Sequence, residues 1–307
     1  MKPPEKVINA PFVNVFLFSL FWAISIIVSK SAFNAGAHPV TYLIQSTIIS
    51  LFLLTIYVLP QKYHELRSIP SKIFWGLMLA NGIHLGLGAI FNSYGTATTS
   101  AVNVGFLGKF ATVTTIIFAW LILKEKLTKS KLISVAIMIV GVFLITTGGK
   151  MIIPQAGDIL ILLACLSWSL GNVLIRKFIK NNPVSGEVVS LLRPIAGLPI
   201  LFLFLSLSSF YPPEIQPVFA VNLTDLTYLP YLIVGSFASS LLSIFLNRTL
   251  KVASASYMTM MSMMTPVMVS IIAITLLGES MALIQALGAI LIILSGVAIH
   301  YLKIEKQ

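Results

Sequence analysis

Apolar residues run in blocks of about twenty along the whole chain, separated by short polar or turn-forming stretches. That block length matches the ~20 helical residues needed to cross a ~30 Å hydrocarbon core. The breaks fall at Asn34-Ala35-Gly36, Pro60 to Ser71, Lys124 to Lys131, Gly148-Gly149-Lys150, Asn181-Asn182-Pro183 and the stretch around Tyr211-Pro212-Pro213. They predict ten spans, at 12–33, 38–59, 73–93, 100–123, 130–148, 157–176, 186–208, 228–246, 253–277 and 282–301. A membrane barrel would alternate apolar and polar residues over about ten positions. Runs such as Leu132 to Ile145 are apolar on every side, so the spans read as helices.

Composition agrees with this pattern. Of 307 residues, 57% are hydrophobic and only 9% charged, and the mean hydropathy is +0.98. A soluble domain carries roughly a quarter charged residues, so water is not the main solvent of this chain. The first apolar stretch follows Lys2 and Lys6 but is longer than a ~7–15-residue signal core. It reads as a retained first helix. The lone Cys165 excludes an intrachain disulfide.

Charge placement sets the orientation and argues against a nucleic-acid partner. The net charge is +11, but the basic residues punctuate the apolar runs and do not gather on one face. With the N-terminus in the cytoplasm, the cytoplasmic segments hold Lys2 and Lys6, then Lys62, Arg67 and Lys72, then Lys124, Lys126, Lys129 and Lys131. Arg176, Lys177, Lys180, Arg248, Lys251, Lys303 and Lys306 also fall on that side. Of the 20 basic residues, only Lys30 and Lys150 fall opposite, with Lys109 and Arg193 inside spans. This is the positive-inside bias. It predicts a multi-pass protein of the cell (plasma or inner) membrane with both termini cytoplasmic. The longest external loop, Ser209 to Thr227, contains the sequon Asn222-Leu223-Thr224, a triplet common by chance.

The chain also repeats itself. At an offset of 154, Ile90-Phe91 aligns with Ile244-Phe245, Ser100-Ala101 with Ser254-Ala255, and Leu123 and Glu125 with Leu277 and Glu279. At an offset of 146, Trp22 aligns with Trp168 and Lys30 with Arg176. Residues 12–148 and 157–301 therefore form two related halves of five helices each. An odd number of crossings inverts the second half. Inverted repeats are a common plan of secondary transporters, with the solute site near the midplane. The expected fold class is an all-α integral membrane protein of ten helices in two inverted five-helix repeats.

Trp22, Thr99-Ser100-Ala101, Leu123-Lys124-Glu125-Lys126-Leu127 and Gly141 mark the first half. Trp168, Arg193, Ala253-Ser254-Ala255, Pro266 and Leu277-Gly278-Glu279 mark the second. In their order and spacing these residues resemble the drug/metabolite transporter superfamily, in particular its EamA-type members. The resemblance covers nearly the whole chain. It implies cation-independent or proton-coupled export of small metabolites or drugs through a central cavity lined by helices 1, 3, 4, 6, 8 and 9. Two positions depart from the family pattern. Gln45 stands where an Arg is frequent, and Ala111-Thr112 lacks the proline kept in Thr265-Pro266.

Polar residues within spans are the candidate site. Lys109 lies mid-span, where an ammonium costs ~2.5–3.5 kcal/mol on insertion scales. It reads either as a cavity cation that meets an anionic group of the solute or as a lysine held by backbone carbonyls. His84 reads as a proton relay or as a bond to a neighbouring helix. Asn81, Asn103 and Asn172 bind solute or join helices, while Trp22 and Trp168, away from the interfacial belt, read as cavity walls. Tyr257 flanks the same region. Arg193 reads as structural, snorkelling to headgroups or pairing with Glu187. Glu125, Glu279 and Pro266 also read as structural.

No Walker-type loop, catalytic carboxylate pair or metal-ligand spacing is present, so no enzyme activity, cofactor or metal is expected. The expected partners are a small-molecule solute and membrane lipid, with a homodimer left open. The sequence thus points to a secondary transporter of small metabolites or drugs, an exporter by alternating access. The competing reading is a lipid-handling or scaffold protein that moves no solute.

Overall fold

The computed structural model describes residues 10–99, 101–211, 213, 216–277 and 280–301. Glu279 lies outside the described residues, as do Ser100, Gly278 and the lysines at 2, 6, 303 and 306. Among the described residues all regular structure is helical, and ten segments are long and apolar enough to cross a bilayer. They are α1 (Ala10–Asn34), α2 (Pro39–Arg67), α3 (Ser71–Asn81, Gly82–Leu87 and Gly88–Ala97 in succession) and α4 (Ala101–Leu107 and Phe110–Leu123). Then follow α5 (Lys129–Thr147), α6 (Gly157–Ile179), α7 (Gly186–Ser206), α8 (Leu229–Val252), α9 (Ala255–Met261, Ser262–Met264 and Thr265–Leu277) and α10 (Leu283–Tyr301).

Local chemistry sets several helix ends. Thr128 accepts the Lys131 amide with its hydroxyl at 3.2 Å and starts α5, and Ser254 accepts the Tyr257 amide at 3.0 Å and starts α9. These are N-caps, which satisfy amides that have no partner inside the helix. Gly148 closes α5 with φ +61°, a left-handed conformation that glycine adopts without a Cβ clash. The expected end of the second span, residue 59, is passed. α2 continues to Arg67 through a kink at Lys62 (φ −129°, ψ 15°), just beyond Pro60. Pro60 has no N–H and its ring crowds the preceding turn, so it bends the helix without stopping it.

The helix pairings repeat when the two halves are exchanged. α1 packs on α8 and α9, while its counterpart α6 packs on α3 and α4. α2 packs on α8 as α7 packs on α3, and α5 meets its own counterpart α10. At that last contact a methyl on Gly141 would sit 2.8 Å from the Gly288 carbonyl, and one on Gly288 would sit 2.6 Å from the Gly141 carbonyl. Backbone meets backbone there, a close approach that small residues permit between membrane helices.

Two apolar packed regions hold much of the core. One joins α2, α3, α6, α7 and α8 through residues such as Leu54, Leu77, Val173, Leu191 and Leu250. The other is methionine-rich and holds Val15, Ile116, Met138, Met260 and Met263. The periphery shows large apolar side chains, with Phe52 and Trp75 each 65% exposed. Such a surface suits lipid, since soluble monomers seldom expose contiguous apolar area beyond a few hundred Å².

Candidate functional site

Two helices break at matching places. α4 is interrupted at Gly108-Lys109, where the Lys109 amide bonds to the Phe106 carbonyl and the Thr112 amide to the Lys109 carbonyl, both at 3.0 Å. α9 tightens into a 3-10 turn at Ser262–Met264. At the offset of 154, Lys109 and Met263 are counterparts. The causes differ. Pro266 has no N–H for the Ser262 carbonyl, and the Thr265 hydroxyl donates to it instead at 2.7 Å. In α4 the matching residue is Thr112. The interruption there falls on Gly108, a residue that weakens a helix interior by ~1 kcal/mol relative to alanine.

α6 covers the carbonyls at the α4 break. The Cys165 thiol lies 3.4 Å from the Leu107 carbonyl and 3.5 Å from that of Gly108. The Ser169 hydroxyl donates to the Ala111 carbonyl at 2.8 Å and lies 2.6 Å from the Thr114 hydroxyl. The Thr112 hydroxyl reaches the Thr259 carbonyl at 3.3 Å, joining the two broken helices. Backbone polar groups freed in a membrane need such partners, because lipid offers none. The sequence does not mark Cys165 and Ser169 as partners of α4, since two small residues four apart look like ordinary helix packing.

Lys109 stands at the break, half-buried, with its Nζ 4.4 Å from the Trp22 ring centroid. A desolvated cation–π contact is worth ~2 kcal/mol, which offsets much of the insertion cost. Among the described residues no carboxylate pairs with this ammonium, since the ion pairs there are Lys62–Glu65 and Arg248–Glu187. The donors of Lys109 are therefore not committed to a carboxylate there.

His84 occupies a π-helical turn, Gly82–Leu87, in the middle of α3. Such turns are rare and recur at functional sites. Its Nδ1 is buried without a partner, as are the amide oxygens of Asn81 and Asn172. Gly171 of α6 lets that turn approach, because a methyl there would sit 2.6 Å from the His84 Cβ. Trp168 packs over Gly88, where a methyl would lie 2.5 Å from the indole nitrogen. The two tryptophans that match in sequence thus cover different elements, Trp22 the α4 break and Trp168 the end of the π turn.

Other candidates lie apart from this group. Asn103 is buried near the start of α4 and donates to the Ile153 carbonyl at 2.9 Å and the Asp158 carboxylate at 3.0 Å. It is six residues from Lys109, ~9 Å along a helix. Tyr257 sits in the methionine-rich region with its hydroxyl 3.1 Å from His300 Nδ1. Glu125, at the end of α4, accepts the Ala255 amide at 3.0 Å and the Ser256 amide at 3.2 Å, and also the Ser256 hydroxyl. It caps α9 from outside, where a helix N-terminus favours negative charge. Glu187 is taken by Arg248, at 2.6 and 2.7 Å, so the expected pairing with Arg193 is replaced. Arg193 itself is only 7% exposed and does not snorkel. Gln45, at the position of departure, donates to the Leu223 and Asp225 carbonyls and accepts the Tyr228 hydroxyl, fastening the long loop.

Residues 11–147 and 155–301 each match the EamA-like transporter family. The uncharacterized transporter YyaM of Bacillus subtilis (strain 168) is 26% identical over 298 residues, covering 92% of each chain. An uncharacterized transporter of Clostridium kluyveri is 24% identical, covering 96% of this chain and 94% of its own. One solved crystal structure superposes with a TM-score of 0.74 at 15% identity over 99% of each chain, a likeness of fold alone.

Proposed function

The chain belongs to the EamA-like transporter family, and from that membership we propose a secondary carrier that exports a small metabolite or drug by alternating access. The observation that carries this reading is the pair of helix breaks at counterpart positions, one of them bearing a lysine with no carboxylate partner among the described residues. Broken helices near the midplane are how inverted-repeat carriers present polar groups to a solute. In this reading Lys109 meets the anionic end of the solute, with Trp22 beside it. His84, Asn81, Asn172 and Trp168 form the adjoining wall on α3 and α6. The halves at 12–148 and 157–301 rock about the contacts between them. The lysine-rich face lies in the cytoplasm of the cell membrane, with both termini on that side.

An export screen with and without the protein selects candidate solutes, and flux into proteoliposomes tests them. Saturable, solute-specific uptake is the expected result. Absence of flux for every solute selected, with the protein folded, overturns the carrier reading and favours a lipid-handling or scaffold role.

A further inference from the structure

Arg193 lies on the same face of α7 as Ala196, Gly197 and Ile200, at spacings of three, four and seven residues. That face packs on the π turn of α3. A methyl on Gly82 would meet Ile200 and the Ala196 carbonyl, and one on Gly197 would meet Leu85. One turn earlier on α7, Ser190 accepts the Asn247 amide of α8 at 2.9 Å. Arg193 is thus buried on the α7 face that packs between α3 and α8.

Its Nε and Nη2 are both buried and have no acceptor. These two nitrogens form one edge of the guanidinium, a planar fork whose spacing matches the two oxygens of a carboxylate or phosphate. Neutral acceptors line the same layer, since the amide oxygens of Asn81 and Asn247 are also buried and unpartnered, yet neither meets the fork. An arginine does not shed its proton, so burial cannot be relieved by neutralisation. The carboxylate closest in sequence, Glu187, is bound to Arg248. A buried cation without a counter-ion is costly, and no carboxylate among the described residues pairs with this one.

We propose that the Arg193 fork, set between α3, α7 and α8, is an oxyanion site that takes one carboxylate or phosphate group in a bidentate grip. The group belongs either to a soluble anion or to an anionic lipid headgroup. The site stands on its own geometry and does not require the carrier reading.

Full-length protein in phosphatidylcholine nanodiscs is titrated with acetate and, separately, inorganic phosphate, at ionic strength held constant with chloride. Thermal unfolding is followed throughout. A saturable rise in Tm is expected for at least one of the two. Arg193→Gln weakens the apparent affinity about thirtyfold or more. Arg193→Lys keeps the charge without the fork and binds more weakly than wild type. Lys177→Gln, an exposed control, changes nothing. Repeating the titration in phosphatidylglycerol nanodiscs separates the sources. A headgroup in the site abolishes the response to soluble anions and makes the lipid itself stabilise wild type over Arg193→Gln. A soluble anion leaves the response intact. No response of wild type to either anion or to the anionic lipid overturns the proposal, as does an equal response of Arg193→Gln. Should Arg193→Gln fail to fold, an Arg193→Lys response equal to wild type has the same force. Binding is read without flux, so failure here is distinct from failure of the carrier reading.

Discussion

At the residue scale, Lys109 shows how a half-buried charge is tolerated in lipid without being fully matched. The indole of Trp22 takes part of the electrostatic load, and the break in α4 lets the ammonium sit at a point where the helix is already interrupted. Replacing it by its counterpart, Lys109→Met, removes a desolvation cost and adds an apolar group beside Trp22. Thermal stability should therefore rise or hold, while kcat/KM for an anionic solute falls by about tenfold or more, the loss of one charged contact of ~1.5–3 kcal/mol. Proteoliposome kinetics and a melting curve on the same preparation check both halves. Unchanged kinetics would retire Lys109 as a solute contact. The fit of α6 against the π turn gives a second test. Gly171→Ala places a methyl 2.6 Å from the His84 Cβ and 2.9 Å from the Ala80 carbonyl. The carbonyl cannot yield as a flexible side chain can, so a loss of ~1–3 kcal/mol is expected, read as a lower unfolding midpoint in detergent.

At the scale of elements, the connection that stands out is Glu125, which ends α4 and caps α9 across 130 residues of chain. The cap satisfies two amides at the α9 N-terminus and places a negative charge where the helix dipole favours it. Glu125→Gln should cost ~1 kcal/mol and raise hydrogen exchange at the Ala255 and Ser256 amides, with no comparable change at the Lys131 amide capped by Thr128. Equal exchange in both proteins would show that the carboxylate does not hold this end of α9. The cap also shows what sequence can and cannot reveal. The recurrence of Glu125 and Glu279 marks the carboxylate as part of the architecture, but its partner is set by how α4 meets α9, and no local pattern encodes that. The ten spans were legible because each is a continuous apolar run with its own turn signals. The interruptions inside α4 and α9 and the π turn of α3 were not, because an apolar alphabet reads the same through a broken helix as through a straight one. Pro266 and Gly108 were the local clues, but they fall at positions that do not correspond, since the counterpart of Pro266 is Thr112. Arg193 was visible as an intramembrane charge. That its guanidinium turns inward and goes unpaired depends on Glu187 choosing Arg248, a contact between distant helices.

At the scale of the whole molecule, the pairings of α1 with α8 and α9, and of α6 with α3 and α4, are the same arrangement applied twice. The two copies are nevertheless unequal at their centres. Lys109 is half-buried beside the aromatic ring of Trp22, whereas Met263 is fully buried in the methionine-rich region. A carrier built from inverted halves changes its open side when each half adopts the packing of the other. If this chain cycles in that way, the inequality between residues 109 and 263 marks its state, and the region around Met263 should loosen in the opposite state. Methionine-rich packing suits that role, because its unbranched side chains re-pack at little cost. The chain allows a direct measurement, since Cys165 is its single cysteine and is buried. With Cys165→Ser as background, Met263→Cys should resist a water-soluble thiol reagent in the solute-free protein. It should react faster when a transported solute drives turnover, and faster still with Glu125→Gln added, because the cap that joins α4 to α9 has been weakened. A thiol equally inert in all three conditions would mean that the two halves do not exchange packing. The shared pairings would then record common ancestry of the halves and not a transport cycle.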